Sequence, residues 1–273
     1  MTEPAYVLGQ SARAARRLEI QDAHFAEVSE RLLDDLQLRP SDRVVELGCG
    51  AGSFSKRILK RLGRDGVLVG VDSSDSMLAQ AAAALAGQGE AAFSPIQADV
   101  SGLGAWLDGA DVVTCRTVLH HVSMVEFMLG RLRAVVRPGT RVGFLEPDFR
   151  SPLARLAHLE ATRRPELAPL RQWAVAINHL YEIRLLSPAV GATLAQTLET
   201  AGYRDVRGAW FPGRSDAMMI ENMVMFYEEV GDQLAAAGIS TVEEVARQQT
   251  LLRALADQPL PPVWGIHLVT AVA

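Results

Sequence analysis

Residues 44–52 read Val44-Val45-Glu46-Leu47-Gly48-Cys49-Gly50-Ala51-Gly52, a short apolar run that gives way to three glycines. A helical pattern opens directly behind them, in Ser53-Phe54-Ser55-Lys56-Arg57-Ile58-Leu59. Glycines are needed where the backbone turns sharply and a ligand approaches it closely. The start of a helix adds backbone N–H groups that have no partner within the helix. The stretch therefore predicts a strand, a ligand-binding turn and a helix.

The spacing of the glycines distinguishes between two nucleotide-type ligands. Dinucleotide-binding turns follow G-x-G-x-x-G, whereas here the third glycine comes one residue earlier, as Gly48-x-Gly50-x-Gly52. Glu46 stands two residues before the first glycine, where a carboxylate would repel a pyrophosphate and attract an ammonium group. S-adenosylmethionine carries an ammonium, a sulfonium and a ribose but no phosphate. The stretch E-x-G-x-G-x-G resembles the cofactor loop of class I S-adenosylmethionine-dependent methyltransferases.

Downstream of the turn, strand patterns alternate with helix patterns. Strands are predicted at 43–47, 66–71, 91–97, 110–115 and 140–145, with helices at 53–62, 75–85 and 124–136 between them. This alternation indicates a parallel α/β sheet with helices on both faces. Later strands predicted at 203–210 and 262–273 bring the total to seven, which resembles the class I methyltransferase fold. The resemblance implies a Rossmann-like sheet of order 3-2-1-4-5-7-6, with the seventh strand antiparallel between the fifth and sixth.

The same resemblance divides the chain into a core and helical additions. The S-adenosylmethionine-binding core takes 39–146, continues in 187–210 and ends with the last strand at 262–273; the additions are an N-terminal helical lid segment at 1–38, a substrate lid insertion at 147–186 and a second helical insertion at 211–261. Both insertions leave the carboxyl ends of strands, the edge at which ligands of open α/β sheets bind. We therefore expect the three additions to pack together over the cofactor and the substrate.

Composition bounds the compartment and the partners. The chain has 273 residues, of which 49% are hydrophobic and 22% charged, as in an ordinary soluble protein. Two cysteines without a C-x-x-C or a His/Cys cluster argue for a reducing, cytoplasmic compartment and against a metal site. No apolar run approaches the ~20 residues of a membrane span, and a net charge of −5 disfavours nucleic acid as a partner. The oligomeric state stays open, with a homodimer the commonest arrangement of soluble oligomers.

The end of the second predicted strand offers a ribose ligand. Asp72 lies there, downstream of Gly48, and can accept hydrogen bonds from both ribose hydroxyls of a cofactor. Its alternative role is to cap the helix that follows, but Ser74 and Asp75 already suit that role. We predict that Asp72 binds ribose.

The end of the third predicted strand offers an adenine site. Asp99 can accept from the adenine amino group and Val100 N–H can donate to the ring, although Asp99 could instead cap a short helix at 101–107. Met77 is placed to pack on adenine or in the core. Tyr6 is a candidate because an N-terminal tyrosine closes over the cofactor in related small-molecule enzymes; a frayed terminus is the alternative. The predicted cofactor residues are Glu46, Gly48, Cys49, Gly50, Gly52, Asp72, Ser73, Met77, Asp99, Val100, Arg116 and Tyr6.

The segment after the fourth strand narrows the branch of the family. Leu119-His120-His121-Val122, followed by Arg137-Pro138-Gly139, resembles the branch of ubiquinone and menaquinone C-methyltransferases and of bacterial natural-product methyltransferases, over about residues 40–145. Amino-methyltransferases of nucleic-acid bases commonly carry (D/N)-P-P-(Y/F) here, where this chain has Thr114-Cys115-Arg116-Thr117. The resemblance implies O-, C- or N-methylation of a small, largely apolar molecule such as a secondary metabolite or quinone. A macromolecule-directed (RNA or protein) methyltransferase and a non-catalytic S-adenosylmethionine-binding module are the alternatives.

A catalytic base is needed only where the accepting atom must lose a proton. His120 and His121 stand at the carboxyl edge of the sheet, beside the expected position of the methyl group, and Glu146 leaves the next strand at that edge. In sugar O-methyltransferases that this branch resembles, a His-His pair and an acidic residue after the fifth strand serve as base, and His121 and Glu146 match those positions. The alternatives are structural imidazoles and a salt bridge at a strand end. We predict all three as catalytic residues.

The two insertions supply the predicted substrate contacts. Trp173, His179 and Tyr181 lie in the first insertion, and Met219 and Met223 lie in a methionine-rich helix of the second. Methionine adapts its shape to irregular apolar ligands. Packing in a helix core is the alternative for each of these residues.

Overall fold

The computed structural model of the chain describes residues 20–162, 164–213 and 216–273, so that Tyr6 lies outside the described residues. Its sheet has seven strands in the order β3-β2-β1-β4-β5-β7-β6. They are β1 (Arg43–Leu47), β2 (Val67–Asp72), β3 (Ala92–Gln97), β4 (Val112–Arg116), β5 (Arg141–Pro147), β6 (Arg204–Pro212) and β7 (Gly265–Val272). Strands β1 to β5 are parallel, and β7 is antiparallel to β5 and β6. The predicted fold and strand order are confirmed.

Helices cover the sheet and fill both insertions. Residues 20–24 are helical, and the helices after them are α1 (Ala26–Asp35), α2 (Ser53–Leu59), α3 (Asp75–Leu85), α4 (Val125–Val135), α5 (Ser151–Thr162), α6 (Ala168–Ile183), α7 (Val190–Thr200), α8 (Ala217–Ala236) and α9 (Val242–Arg253). Single 3-10 turns occur at 100–102, 105–107, 119–121 and 165–167. The first insertion thus contains α5 and α6, and the second contains α8 and α9.

Both faces of the sheet are buried, because neighbouring residues of a strand point to opposite faces. On β1, Val45 packs in a cluster with Leu129 and Leu132 of α4. Its neighbour Val44 packs on the other face, in a cluster with side chains of α1, α2 and α3. The central strands are therefore near-continuous apolar runs, as parallel strands covered on both sides require.

Helix α1 lies on a face of the sheet and not over its carboxyl edge. A Cβ built on Gly143 of β5 would lie 2.7 Å from Leu32 and 2.8 Å from Leu36, so the helix packs directly on that strand. Residues 26–36, which were predicted to be part of the lid segment 1–38, therefore lie on the sheet and not over the site. The reason is that an amphipathic helix buries more of its apolar face on a flat sheet than over a strand end.

The two insertions share a hydrophobic cluster of their own, which we call the lid core. It consists of Leu156, Leu167, Leu170, Trp173, Ala174, Ala176, Ile177, Leu180, Tyr181, Ile220, Met223, Val224, Phe226, Tyr227, Val230, Leu234, Val245, Leu252, Leu255, Val263 and Trp264. Phe149, which follows β5, packs against this cluster. Apolar residues expected to face a substrate thus contact one another across α5, α6, α8 and α9.

The lid core approaches the carboxyl edge of the sheet. Tyr181 of α6 lies over the turn that follows β4, since its ring centroid is 5.8 Å from that of His120. Residues 20–24 approach the second insertion, because a Cβ built on Gly213 would lie 3.1 Å from His24 Nε2. The lid core therefore lies above the strand end that carries the histidine pair.

Membrane-spanning helices and clusters of metal ligands are both absent from the described residues. None of the helices in 20–162, 164–213 and 216–273 is long and apolar enough to cross a bilayer. Within the same ranges, no three His, Cys, Asp or Glu side chains are grouped as metal ligands.

Candidate active site

The three glycines of the turn between β1 and α2 have different neighbours. All three have positive φ angles, of 65° at Gly48, 53° at Gly50 and 87° at Gly52, which L-residues rarely adopt. A Cβ at Gly48 would lie 2.5 Å from Val118, and one at Gly52 would lie 3.2 Å from Leu85 of α3. A Cβ at Gly50 would have no atom within 4 Å. Gly50 therefore leaves backbone open to a ligand, whereas the other two allow close packing.

Asp72 fixes this turn to the end of β2. Its Oδ2 accepts the Gly50 N–H at 2.9 Å and its Oδ1 accepts the Ser74 N–H at 2.9 Å. The helix that follows is capped by Ser74, whose Oγ accepts the Met77 N–H at 3.3 Å. Asp72 is thus not the helix cap, and its carboxylate, half-buried beside Gly50, keeps lone pairs for the ribose hydroxyls that the sequence predicts.

Glu46 lies beneath the turn and is buried. Its Oε2 accepts a hydrogen bond of 2.5 Å from Ser55 Oγ on α2. Burial raises the pKa of Glu46 to about 8, although the Ser55 hydrogen bond and the nearby Arg116 guanidinium act in the opposite direction. At neutral pH the carboxyl group therefore carries its proton until a cation, such as a ligand's ammonium group, comes close.

Cys49 contributes backbone contacts to the turn. Its N–H donates to Val71 O of β2 at 3.0 Å, and burial raises the pKa of its thiol, so the side chain stays uncharged. Ser73, also predicted to contact the cofactor, is exposed beyond β2.

Arg116 connects the end of β4 to the N-terminal helical residues. Its Nη1 is 2.7 Å from Asp22 Oδ1 and 3.1 Å from Ser29 Oγ, and its guanidinium carbon is 5.2 Å from the centre of the Phe54 ring. Asp22 also pairs with Arg57 of α2. Arg116, predicted to bind cofactor, is therefore already neutralised by Asp22, a partner that no local sequence signal indicated.

The residues predicted around adenine lie in the first turn of α3 and after the end of β3. Met77 is buried and Val100 half-buried. Asp99 Oδ1 accepts the Ser101 N–H at 2.8 Å and the Ser101 hydroxyl at 2.7 Å. Asp99 thus caps the turn at 100–102, the alternative left open by the sequence, and its second oxygen is left for an exocyclic amine.

Glu146 organises the turn that follows β4. It is fully buried at the end of β5, where its Oε1 accepts the Val118 and Leu119 N–H groups, each at 2.8 Å. Its Oε2 accepts the His120 N–H at 3.3 Å and lies 2.7 Å from His120 Nδ1. Because a carboxylate only accepts, we infer that Nδ1 carries the hydrogen and that the lone pair of neutral His120 is on Nε2. An imidazole held in this way can accept a proton.

Aromatic rings cover the histidine pair. The ring centroids of His120 and His121 are 4.1 Å apart, and those of His121 and Tyr181 are 5.6 Å apart. Phe149 adds a ring whose centroid is 5.8 Å from that of His120 and 5.7 Å from that of Tyr181. The histidine pair thus lies against an aromatic cluster.

The predicted substrate residues are not all in one place. Trp173, Tyr181 and Met223 are buried in the lid core, Met219 is half-buried against it, and His179 is exposed on α6. Phe149 and Trp264 were not among the predicted site residues. Their ring centroids lie 6.1 Å and 5.6 Å, respectively, from that of Trp173. The position of Phe149 could have indicated a site residue, since it comes two residues after the end of β5 and next to Asp148.

Comparison with known proteins identifies the domain. A protein-family model described as "Methyltransferase domain" matches residues 45–142, from the glycine turn to the start of β5. Residues 45–142 therefore belong to this family of methyltransferase domains, and the sheet around them has the strand order expected of the class I S-adenosylmethionine-dependent methyltransferases. That family uses S-adenosylmethionine, as the sequence predicts, and the residues present suit it: Gly50 offers open backbone, Asp72 a fixed carboxylate and Glu46 a carboxyl group for an ammonium.

Two relatives of the chain carry the names of small-molecule methyltransferases. Nocamycin O-methyltransferase of Saccharothrix syringae is 29% identical over 195 residues, which are 67% of this chain and 66% of that protein. Trans-aconitate 2-methyltransferase of Rhizobium leguminosarum bv. trifolii is 30% identical over 177 residues, 64% of this chain and 63% of that protein. The chain thus spans slightly less than two thirds of the length of these curated relatives.

A solved structure supports the fold of this methyltransferase. An S-adenosylmethionine-dependent methyltransferase from Geobacter sulfurreducens, determined with S-adenosylhomocysteine, aligns with a TM-score of 0.56 at 19% identity. The alignment covers 94% of this chain and 97% of that one. At this identity the likeness shows a shared fold.

Proton release on cofactor binding is the first expected result for this methyltransferase. Since the pKa of Glu46 is about 8, the free protein at pH 7 holds that proton. The ammonium group of S-adenosylhomocysteine stabilises the carboxylate, so binding should release up to one proton and strengthen as pH rises from 6 to 8. Calorimetry at pH 7 in phosphate and in Tris measures the release. Glu46→Gln is the control and should show none; a wild-type binding enthalpy that is equal in both buffers contradicts the assignment.

Proposed function

We propose that this chain transfers a methyl group from S-adenosylmethionine to a small, largely apolar organic molecule. The observation that carries the proposal is the contact between the glycine turn and the turn that bears His120. Val118 touches Gly48 so closely that a Cβ there would lie 2.5 Å from it, and the Val118 N–H is bonded to Glu146. The predicted cofactor turn and the acid–base pair are therefore neighbours at one strand edge.

Each residue at this edge would bind a different part of the cofactor. S-adenosylmethionine, when bound, supplies a methyl group on a positively charged sulfur, which is already activated for displacement. Gly50 would let the ligand approach the backbone, Asp72 would take the ribose hydroxyls and Glu46 the ammonium. What remains for the chain is to align the accepting atom and to exclude water.

His120 is the residue best prepared to act as base. Glu146 Oε2 accepts the hydrogen of His120 Nδ1, with 2.7 Å between oxygen and nitrogen. This bond directs the Nε2 lone pair away from β5. A hydroxyl group on the acceptor would give its proton to Nε2, and Glu146 would stabilise the imidazolium that forms. This arrangement favours an oxygen acceptor, and it also serves a carbon acid. His121, beside it, would contribute to positioning the acceptor.

The preference for a small apolar acceptor rests on the rings above the histidines. Tyr181 and Phe149 cover His120, and behind them the lid core is aromatic and aliphatic. An enclosed apolar surface lowers the local dielectric and holds a flat molecule in place. The names of the small-molecule relatives support a small acceptor.

Calorimetry with two ligands tests the cofactor. S-adenosylhomocysteine should bind, and NAD should give no heat of binding, because the glycine spacing is not that of a dinucleotide turn and Glu46 beneath it offers a pyrophosphate no positive charge. A methyl-labelled cofactor, incubated with a panel of phenols, enols and quinols, should then label small molecules in preference to RNA or protein. Binding of NAD without S-adenosylhomocysteine contradicts the proposal, as does label that appears only in macromolecules.

A further inference from the structure

The lid core contains polar atoms that have no hydrogen-bond partner among the described residues. They are Trp173 Nε1, Trp264 Nε1 and Asn178 Oδ1, on side chains that are 6%, 6% and 3% exposed. Buried polar groups nearly always have a partner, and leaving one without destabilises the fold. Three such atoms in one hydrophobic cluster call for an explanation.

Contacts between rings do not satisfy both indoles. Trp173 and Trp264 meet edge to face, with centroids 5.6 Å apart and planes at 89°. In such a pair only one indole can point its N–H at the face of the other, and a bond to a ring face is weaker than one to oxygen. At least one strong donor is therefore available for an oxygen atom.

The amide of Asn178 is fixed in its orientation. Its Nδ2 donates to Phe149 O and to Ala174 O, both at 2.7 Å. Two carbonyl acceptors require the amide nitrogen on that side, so Oδ1 is left as an acceptor without a partner among the described residues. The cluster thus offers both kinds of hydrogen bond to a guest.

Charge limits what the guest can be. No lysine or arginine is among the fully buried residues of 20–162, 164–213 and 216–273. Without a buried cation beside it, a carboxylate or phosphate placed among these side chains would lose its hydration at a large cost in free energy. A neutral oxygen does not carry that cost.

This inference rests on the proposed function: we propose that an indole N–H of the Trp173–Trp264 pair binds a neutral carbonyl oxygen of the methyl acceptor, and that Asn178 Oδ1 accepts from a hydroxyl on the same molecule. The acceptor is thus a hydroxy-ketone, and the flat rings over His120 favour a cyclic one. Its polar end lies in the lid core and its methylated atom lies near His120. The side chain of Phe149 separates the two ends, since its ring is 5.8 Å from His120 and 6.1 Å from Trp173.

Two methionines give the lid core an adaptable lining. Met223 is buried within it and Met219 is half-buried against it. Unbranched thioether side chains change rotamer at little cost and fill irregular gaps. Molecules of two fused six-membered rings can serve as probes, because matched versions with and without the carbonyl and hydroxyl groups exist.

Indole resonances test the proposal directly. The chain has four tryptophans, so indole-labelled protein gives four N–H signals that Trp→Phe variants assign. The probes are tetralin, 1-tetralone and 7-hydroxy-1-tetralone, added with and without saturating S-adenosylhomocysteine. Both tetralones should move the signal of at least one of Trp173 and Trp264 downfield, whereas Trp106 serves as the internal control and should stay. Tetralin should move none of these signals downfield.

Affinities provide the second measurement. Trp173→Phe and Trp264→Phe keep an aromatic ring but lose the donor, so together they should weaken 1-tetralone binding roughly ten-fold and leave tetralin binding unchanged. The hydroxylated tetralone should bind more tightly than 1-tetralone. Tetralone binding that the variants leave unchanged, or no binding of either tetralone, overturns the inference. Failure of the proposed function is seen separately, as absence of S-adenosylhomocysteine binding in the same samples.

Discussion

Gly50→Val should abolish cofactor binding while the protein stays folded. A Cβ at Gly50 meets no atom within 4 Å, so the valine side chain would project into open space above the turn. That space is where the ligand must approach the backbone, and a branched side chain would keep it at a distance. We expect the affinity for S-adenosylhomocysteine to fall at least 100-fold, on the order of 3 kcal/mol.

The backbone conformation of Gly50 requires a matched control. Its φ of 53° is unfavourable for valine and would destabilise the fold by about 1–2 kcal/mol by itself. Gly87, just after α3, has a φ of 71° and likewise no atom within 4 Å of an added Cβ. Gly87→Val therefore carries a similar strain away from the turn. Both variants should unfold at similar denaturant concentrations, and only Gly50→Val should lose calorimetric binding; equal affinities would contradict the role assigned to Gly50.

The glycine motif illustrates what a sequence does and does not reveal. Its spacing predicts a ligand turn, because only the local chain is involved. It does not reveal that Gly48 packs against Val118 and Gly52 against Leu85, since those neighbours come from β4 and α3. The distinction between the glycine that faces a ligand and the two that face the protein therefore required the structure.

The ends of helices and strands also depend partly on the local sequence and partly on distant residues. The helix predicted at 75–85 has those limits in the structure, because Ser74 caps its start and Gly87 follows its end, and both signals are local. The fifth strand was predicted to end at 145 but continues to Pro147. The extra residues pair with β7, near the end of the chain, and that pairing leaves no mark on the local pattern.

The candidate site was predictable in its parts and not in its connections. His120 and Glu146 were both identified by their positions after β4 and β5. Their hydrogen bond depends on how neighbouring strands align, and the alignment selects His120 as the direct partner of Glu146. Trp264 was assigned to the last strand, whereas it precedes β7 and packs in the lid core, since that apolar surface forms only when both insertions fold.

Glu146→Gln should destabilise the whole domain. Val118, Leu119 and His120 donate their backbone N–H groups to the carboxylate, and His120 adds its Nδ1 hydrogen. A glutamine has one acceptor oxygen and places an NH2 donor against the remaining donors. At least one buried N–H would lose its partner, and charge-assisted bonds would become neutral ones. We expect the free energy of unfolding to fall by about 3–5 kcal/mol.

Glu182→Gln provides the matched control for this loss. Glu182 pairs with Arg150 at the surface, where its side chain is 48% exposed. Removing an exposed ion pair changes stability by less than about 1 kcal/mol. Denaturant unfolding of both variants, without ligand, measures the difference. Because the turn that Glu146 holds carries His120 and touches Gly48, Glu146→Gln should also lose methyl transfer where it remains folded. An unfolding midpoint like that of Glu182→Gln would mean that Glu146 does not organise the turn.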